Sequence, residues 1–175
     1  MFVLVVAVLW LLGASPPARA QGSSPDRCEP ARGAVAVRAS VTGADALTVS
    51  YTVVNSTRSP LIWLSVGSGG AQRTRLVVQQ TPKVTSAPAG WMGTVVYPEE
   101  TPYMHLWWES RDATAGLPVN AATGGFAIEV ASPATVPPGF RGMDGNPVRP
   151  IDFGTLPFTA GGTGVQCWWG RVTRP

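Results

Sequence analysis

A single histidine, His105, limits the chemistry this chain can carry. Sites that need two or three imidazoles are impossible. A nucleophile triad would have to run through His105 with Glu109 or Asp112 as its carboxylate, plus a distant serine and an oxyanion hole that no motif announces. Neither Gly-x-Ser-x-Gly nor His-Glu-x-x-His occurs. Glu109 and Glu129 fall at outward positions of expected strands and could form the carboxylate pair of a glycosidase, where separation decides the mechanism. Exposed strand glutamates are ordinarily solvated, and that reading is preferred. Met104 and His105, with Met92 and Met143, would be soft ligands for Cu(I). Neighbours on a strand point to opposite faces, so Met104 and His105 cannot converge, and Met104 reads as core filler. No catalytic residue, metal ligand or cofactor is assigned.

The tryptophans say more. Trp10 lies in the apolar leader, which leaves Trp63, Trp91, Trp107, Trp108, Trp168 and Trp169. In each Trp-Trp pair the two rings must point to opposite sides of a strand. Met104, Leu106 and Trp108 form one apolar set, so Trp108 is expected in the core. Tyr103, His105, Trp107 and Glu109 share the other side. On the last strand Val165, Cys167 and Trp169 fall together, which puts Trp169 in the core and leaves Trp168 outward beside Gln166. Tyr103, His105, Trp107 and Trp168 are thus the candidate binding surface. Outward Trp and Tyr serve either a protein interface or stacking on sugar rings, unless a loop such as Ser132 to Pro147 covers them as a second core.

The elements that position these residues are strands. In Ala46 to Val66, Leu47, Val49, Tyr51 and Val53 alternate with polar residues, a period of two in β-forming side chains. Asn55 to Pro60 is a polar link, and Leu61 to Val66 is a second apolar run, so an antiparallel pair is expected. Val35 to Val41 precedes that pair, with a turn at Gly43-Ala44-Asp45. Leu76 to Gln80, Trp91 to Tyr97, Tyr103 to Ser110 and Phe126 to Val130 follow, with Phe126, Ile128 and Val130 expected inward. Thr81 to Gly90 is too Pro-rich to be regular for long. Val148 to Phe158 reads as an edge, Gly161 to Gly164 as a turn, and Val165 to Val172 as the last strand. No window has helical spacing over three turns. The fold class expected is an all-β sandwich of about eight or nine strands, almost without helix outside the leader.

Three stretches give the chain a family likeness: Tyr51-Thr52-Val53-Val54-Asn55-Ser56-Thr57, Pro88-Ala89-Gly90-Trp91 and Gly124-Gly125-Phe126-Ala127-Ile128. Over roughly Val35 to Val130 it resembles exported bacterial domains of the immunoglobulin-like or fibronectin-like class. That resemblance implies an antiparallel β-sandwich and no activity. The chain departs from antibody domains, whose disulfide joins the two sheets around a buried Trp, because its cysteines lie near the two ends.

Compartment follows from the ends. Phe2 to Leu12 is an apolar run of eleven residues, followed by Pro16-Pro17 and Ala18-Arg19-Ala20. The run is too short to span a bilayer and has the form of a signal peptide, residues 1–20, although no Lys or Arg precedes it. Residues 21–33 are an extended lead-in and 34–175 a single domain. Export to the periplasm or exterior makes a Cys28–Cys167 disulfide the expectation for the two cysteines. Without Arg19 the 13 basic residues become 12 against 10 acidic, a charge of +2 with no basic run, which argues against nucleic acid. Lys83 as the single lysine, amid abundant Arg, Ala, Gly and Pro, fits a GC-rich bacterial genome. The function expected is a noncatalytic module, structural or protein-binding. A carbohydrate-binding module is the alternative, and a secreted hydrolase comes third. After signal cleavage no stable membrane insertion is expected, and the partner is a protein or a glycan.

Overall fold

In a computed structural model of the chain, the structure describes residues 28–67, 81–96, 104–135, 138–139, 141, 145 and 150–175. The leader, the strand expected at 76–80, Tyr103 and half of the loop from Ser132 to Pro147 lie outside them. Ten strands are described: β1 (Glu29–Pro30), β2 (Val35–Thr42), β3 (Ala46–Asn55), β4 (Leu61–Val66), β5 (Lys83–Ser86), β6 (Trp91–Val96), β7 (His105–Ser110), β8 (Ala121–Ala131), β9 (Pro157–Gly162) and β10 (Cys167–Arg171). The order β1-β10-β9-β4-β7-β6 makes a six-stranded sheet, and β2-β3-β8-β5 a four-stranded one. Every pair is antiparallel except β1 with β10.

This is an immunoglobulin-like β-sandwich: β2, β3 and β8 stand as strands A, B and E do, and β4, β9 and β10 as C, F and G. The two strands added beyond β4 match the extension of variable-type domains in position. β5 departs from that order, because it takes the D position before the β6–β7 hairpin is made. Helix among the described residues is confined to the 3-10 turns Ala113–Ala115 and Pro133–Thr135.

The two apolar runs at 46–66 do not pair. β3 belongs to the four-stranded sheet and β4 to the six-stranded one, so they face each other across the core. The polar link between them is a corner built on Asn55, which is fully buried. Its Nδ2 donates to the Ser59 carbonyl at 3.0 Å and the Leu117 carbonyl at 3.1 Å. Its Oδ1 accepts from the Thr57 N–H at 3.0 Å and the Thr57 hydroxyl at 2.7 Å. A buried amide with every site matched stabilises the turn instead of penalising it.

Three further differences have local causes. β5 forms inside the Pro-rich stretch 81–90, as a four-residue strand on the sheet border where prolines are tolerated. β8 starts at Ala121 and absorbs one extra residue opposite Tyr51 and Val53, where Gly125 takes φ +95° as glycine bulges do. β9 runs over Pro157–Gly162 and is interior, between β10 and β4, so it is neither an edge nor broken at Gly161.

At the core an aromatic cluster joins the sheets. The rings of Trp108 and Tyr51 lie edge to face at 5.8 Å, Trp108 and Phe126 at 5.7 Å, and Trp91 and Phe126 at 5.4 Å. Each polar tip has a partner: Tyr51 Oη donates to the Phe153 carbonyl at 3.0 Å, Trp108 Nε1 to Ser86 at 3.2 Å and Trp91 Nε1 to Ala115 at 2.6 Å. Burial, with the charge of Asp152 behind it, raises the Tyr51 hydroxyl far above its usual range, so it stays a neutral donor. Val49, Val53, Leu106, Ile128 and Val130 are buried as well, while Leu47 is half-buried at the rim.

Candidate binding face

The outer side of the six-stranded sheet is where the expected surface residues fall, and strand register places them in rows. One row runs Trp169, Thr159, Ser65, Trp107 and Thr94 across β10, β9, β4, β7 and β6. The next runs Cys167, Gly161, Trp63, Glu109 and Met92. His105 and Val96 sit together one step further along β7 and β6.

Trp63 and Trp107 stack, with centroids 5.1 Å apart and planes 11° from parallel. Gly161 makes this possible: a Cβ there would run into the Trp63 indole, so the ring lies across bare backbone. Trp107 Nε1 donates to Glu109 Oε2 at 3.1 Å, which sets the second ring. His105 meets Trp107 edge-on at 6.1 Å. Its burial lowers the imidazole below the usual 6.5, so it is neutral near neutrality. Both stacked indoles are half-buried, whereas Trp169 is 40% and Met92 47% exposed. Ser65 and Thr159, between Trp107 and Trp169 in the row, are buried.

The last strand reverses the expectation. Trp169 is outward and Trp168 packs against the core. Trp168 pairs with Ala160 and Trp169 with Thr159, and Ala160 faces inward. Cys167 misled the alternation: it is buried because it is bonded to Cys28, beside β1, and not because it faces the core. Val165, expected on the strand, is 88% exposed in the turn before it. Arg171 was the usable signal, since it shares parity with Trp169. The unbroken apolar sequence of β4 hides the outward Trp63, yet Ser65 marks its outward side. Of the expected surface, His105 and Trp107 are brought together, Trp168 is not, and Tyr103 lies outside the described residues.

The outer side of the four-stranded sheet is different in kind. Arg38 pairs with Thr52, Ser40 with Ser50, and Glu129 with both Thr48 and Lys83. Among the described residues this outer side mixes polar side chains with small apolar ones and carries no aromatic ring, whereas the other carries Trp63, Trp107 and Trp169.

The catalytic alternatives do not assemble. Glu109 is on the outer side of one sheet and Glu129 on that of the other. His105 and Glu109 are four residues apart on one strand, about 13 Å, with Trp107 between them. The Asp112 carboxylate caps the 3-10 turn, accepting from the Thr114 hydroxyl and the Ala115 and Thr114 N–H groups, which together lower its pKa. Met104 is buried while His105 faces outward, and among the described residues no three His, Cys, Asp or Glu cluster as metal ligands.

No protein-family model matches the chain, and no curated protein matches it. A solved structure of an uncharacterized protein from Nocardia farcinica, described as having an immunoglobulin-like fold, is similar at 12% identity and TM-score 0.46, over 78% of this chain and 97% of that one. So distant a likeness carries no argument, and the fold assignment rests on strand order.

Proposed function

We propose that this chain is an exported, noncatalytic module of the cell envelope or exterior that binds a protein partner through the aromatic side of its six-stranded sheet. The observation that carries this is the contrast between the two outer sides, since a sheet facing only water gains nothing from exposing Trp169 and Met92 beside a tryptophan stack. Aromatic and Met anchors amid few charges are the composition of an interface centre. The Cys28–Cys167 bond fits an oxidising compartment, and among the described residues no helix is long and apolar enough to cross a membrane. Sugar binding is the weaker reading, because a platform needs rings lying side by side and open, whereas Trp63 and Trp107 cover each other.

Hydroxyl-radical footprinting in intact cells and on the purified protein tests the proposal. A partner on this side protects Trp169 and Met92 in cells while exposed residues on the outer side of the four-stranded sheet label equally in both samples. Equal labelling of Trp169 and Met92 in the two samples overturns it. Binding to a glycan array that is lost in Trp169→Ala would move the assignment to carbohydrate.

A further inference from the structure

Four strands border the two sheets: β1 and β6 on one, β2 and β5 on the other. A border strand offers unpaired N–H and C=O groups to any extended chain, and proteins usually block it. Three of the four are blocked. β1 is two residues long and ends in Pro30. Along β2 the chain after β10 adds itself, with the Ala39 N–H bonded to the Thr173 carbonyl at 2.8 Å and the Thr173 N–H to Val37 at 3.0 Å. β5 is four residues long and carries Lys83.

Among the described residues β6 has none of these devices. Trp91 to Val96 contains no charge and no proline. Its hydrogen-bonding phase follows from the Arg111 N–H bond to the Gly90 carbonyl, which makes Gly90 and Arg111 a bonded pair. Bonded pairs alternate, so Met92, Thr94 and Val96 aim their backbone groups at β7, and Trp91, Gly93 and Val95 aim theirs away. The Trp91 N–H is taken by Pro88 at 3.0 Å. For Gly93 and Val95, β6 has no second strand among the described residues, and the Val95 carbonyl has only a 3.5 Å contact from the Thr94 hydroxyl.

We propose that this border pairs with the same border of a second copy, antiparallel, about a two-fold axis at Thr94. Gly93 then faces Val95 of the copy twice over, two bonded pairs that satisfy four N–H and four C=O groups' worth of open positions by mutual exchange. Thr94 meets Thr94 of the copy as the close, non-bonded pair on the axis. Met92 falls opposite Val96 of the copy on the aromatic side, so apolar meets apolar and no like charges collide. The match is of the strand to itself, which is what a two-fold interface requires, and the blocked borders elsewhere stop assembly at two. The pairing joins two six-stranded sheets and makes the two aromatic sides continuous, whatever those sides bind.

Sedimentation of the purified protein over a concentration series tests the pairing. The expected result is a species of twice the chain mass that is lost in Thr94→Lys, which sets two ammonium groups on the axis. The control Ser40→Lys adds the same charge to the outer side of the four-stranded sheet and keeps the dimer. Thr94→Cys should join two chains under oxidising conditions, because Cα atoms of a close antiparallel pair lie about 4.5 Å apart, within disulfide reach. A monomer at every concentration, or a dimer indifferent to Thr94→Lys, overturns the proposal.

Discussion

Trp108 and Trp169 are alike in size and opposite in what they hold. Trp108 is fully buried, in contact with Tyr51 and Phe126, and lies against Gly93, where a Cβ would come within 2.5 Å of its ring. Trp108→Ala is expected to cost about 3–5 kcal/mol, a large share of a typical 5–15 kcal/mol, and to lower the denaturation midpoint strongly. Trp169→Ala should lower that midpoint clearly less, since the ring is already 40% exposed and leaves no cavity in the core. His105 carries a pH signature. Burial lowers its folded-state pKa, so the unfolded chain binds the proton more readily. Above the ordinary 6.5 both states are neutral and its contribution is complete; below it, stability falls until the folded-state value is reached. Urea midpoints measured from about pH 7.5 to pH 5 should therefore drop in wild type by more than in His105→Gln.

Two of the tryptophans have a glycine as cross-strand partner. Gly93 faces Trp108 on the core side and Gly161 faces Trp63 on the outer side, each as a direct cross-strand partner. Gly161→Ala should push the Trp63 ring off β9 and break its stacking on Trp107, seen as a loss of near-ultraviolet circular dichroism with the strand signal retained. This pairing also explains what the sequence hid. Gly161-Gly162 has the composition of a turn, yet it pairs with β4, and Gly161 with β10 as well, while the Trp63 indole lies across it. β2, β3, β4, β6 and β7 were legible because their side chains alternate or run apolar between polar breaks. Sheet membership of β3 and β4 was not legible, because a short polar link serves a hairpin and a corner equally well until Asn55 is seen bonded to Leu117, 62 residues away. The facing of Trp168 and Trp169 was not legible, because Cys167 is buried by its bond to Cys28 and not by the core.

At the scale of the whole molecule, both ends of the domain are fastened on one flank. β1 lies parallel to β10, and Cys28 is bonded to Cys167 across 139 residues. The chain-entropy model values so long a loop at about 5 kcal/mol, so reduction should lower the denaturation midpoint more than any single surface substitution, and peptide mapping without reductant should recover the two cysteines joined. The bond has a mechanical consequence too. Tension applied to the chain outside the two cysteines enters at Cys28, crosses the sulfur bridge and leaves at Cys167. The 139-residue span between them, about 470 Å if drawn straight, is bypassed by the load path. The oxidised domain is therefore an inextensible link under traction, and a thiol reductant would turn it into a long tether.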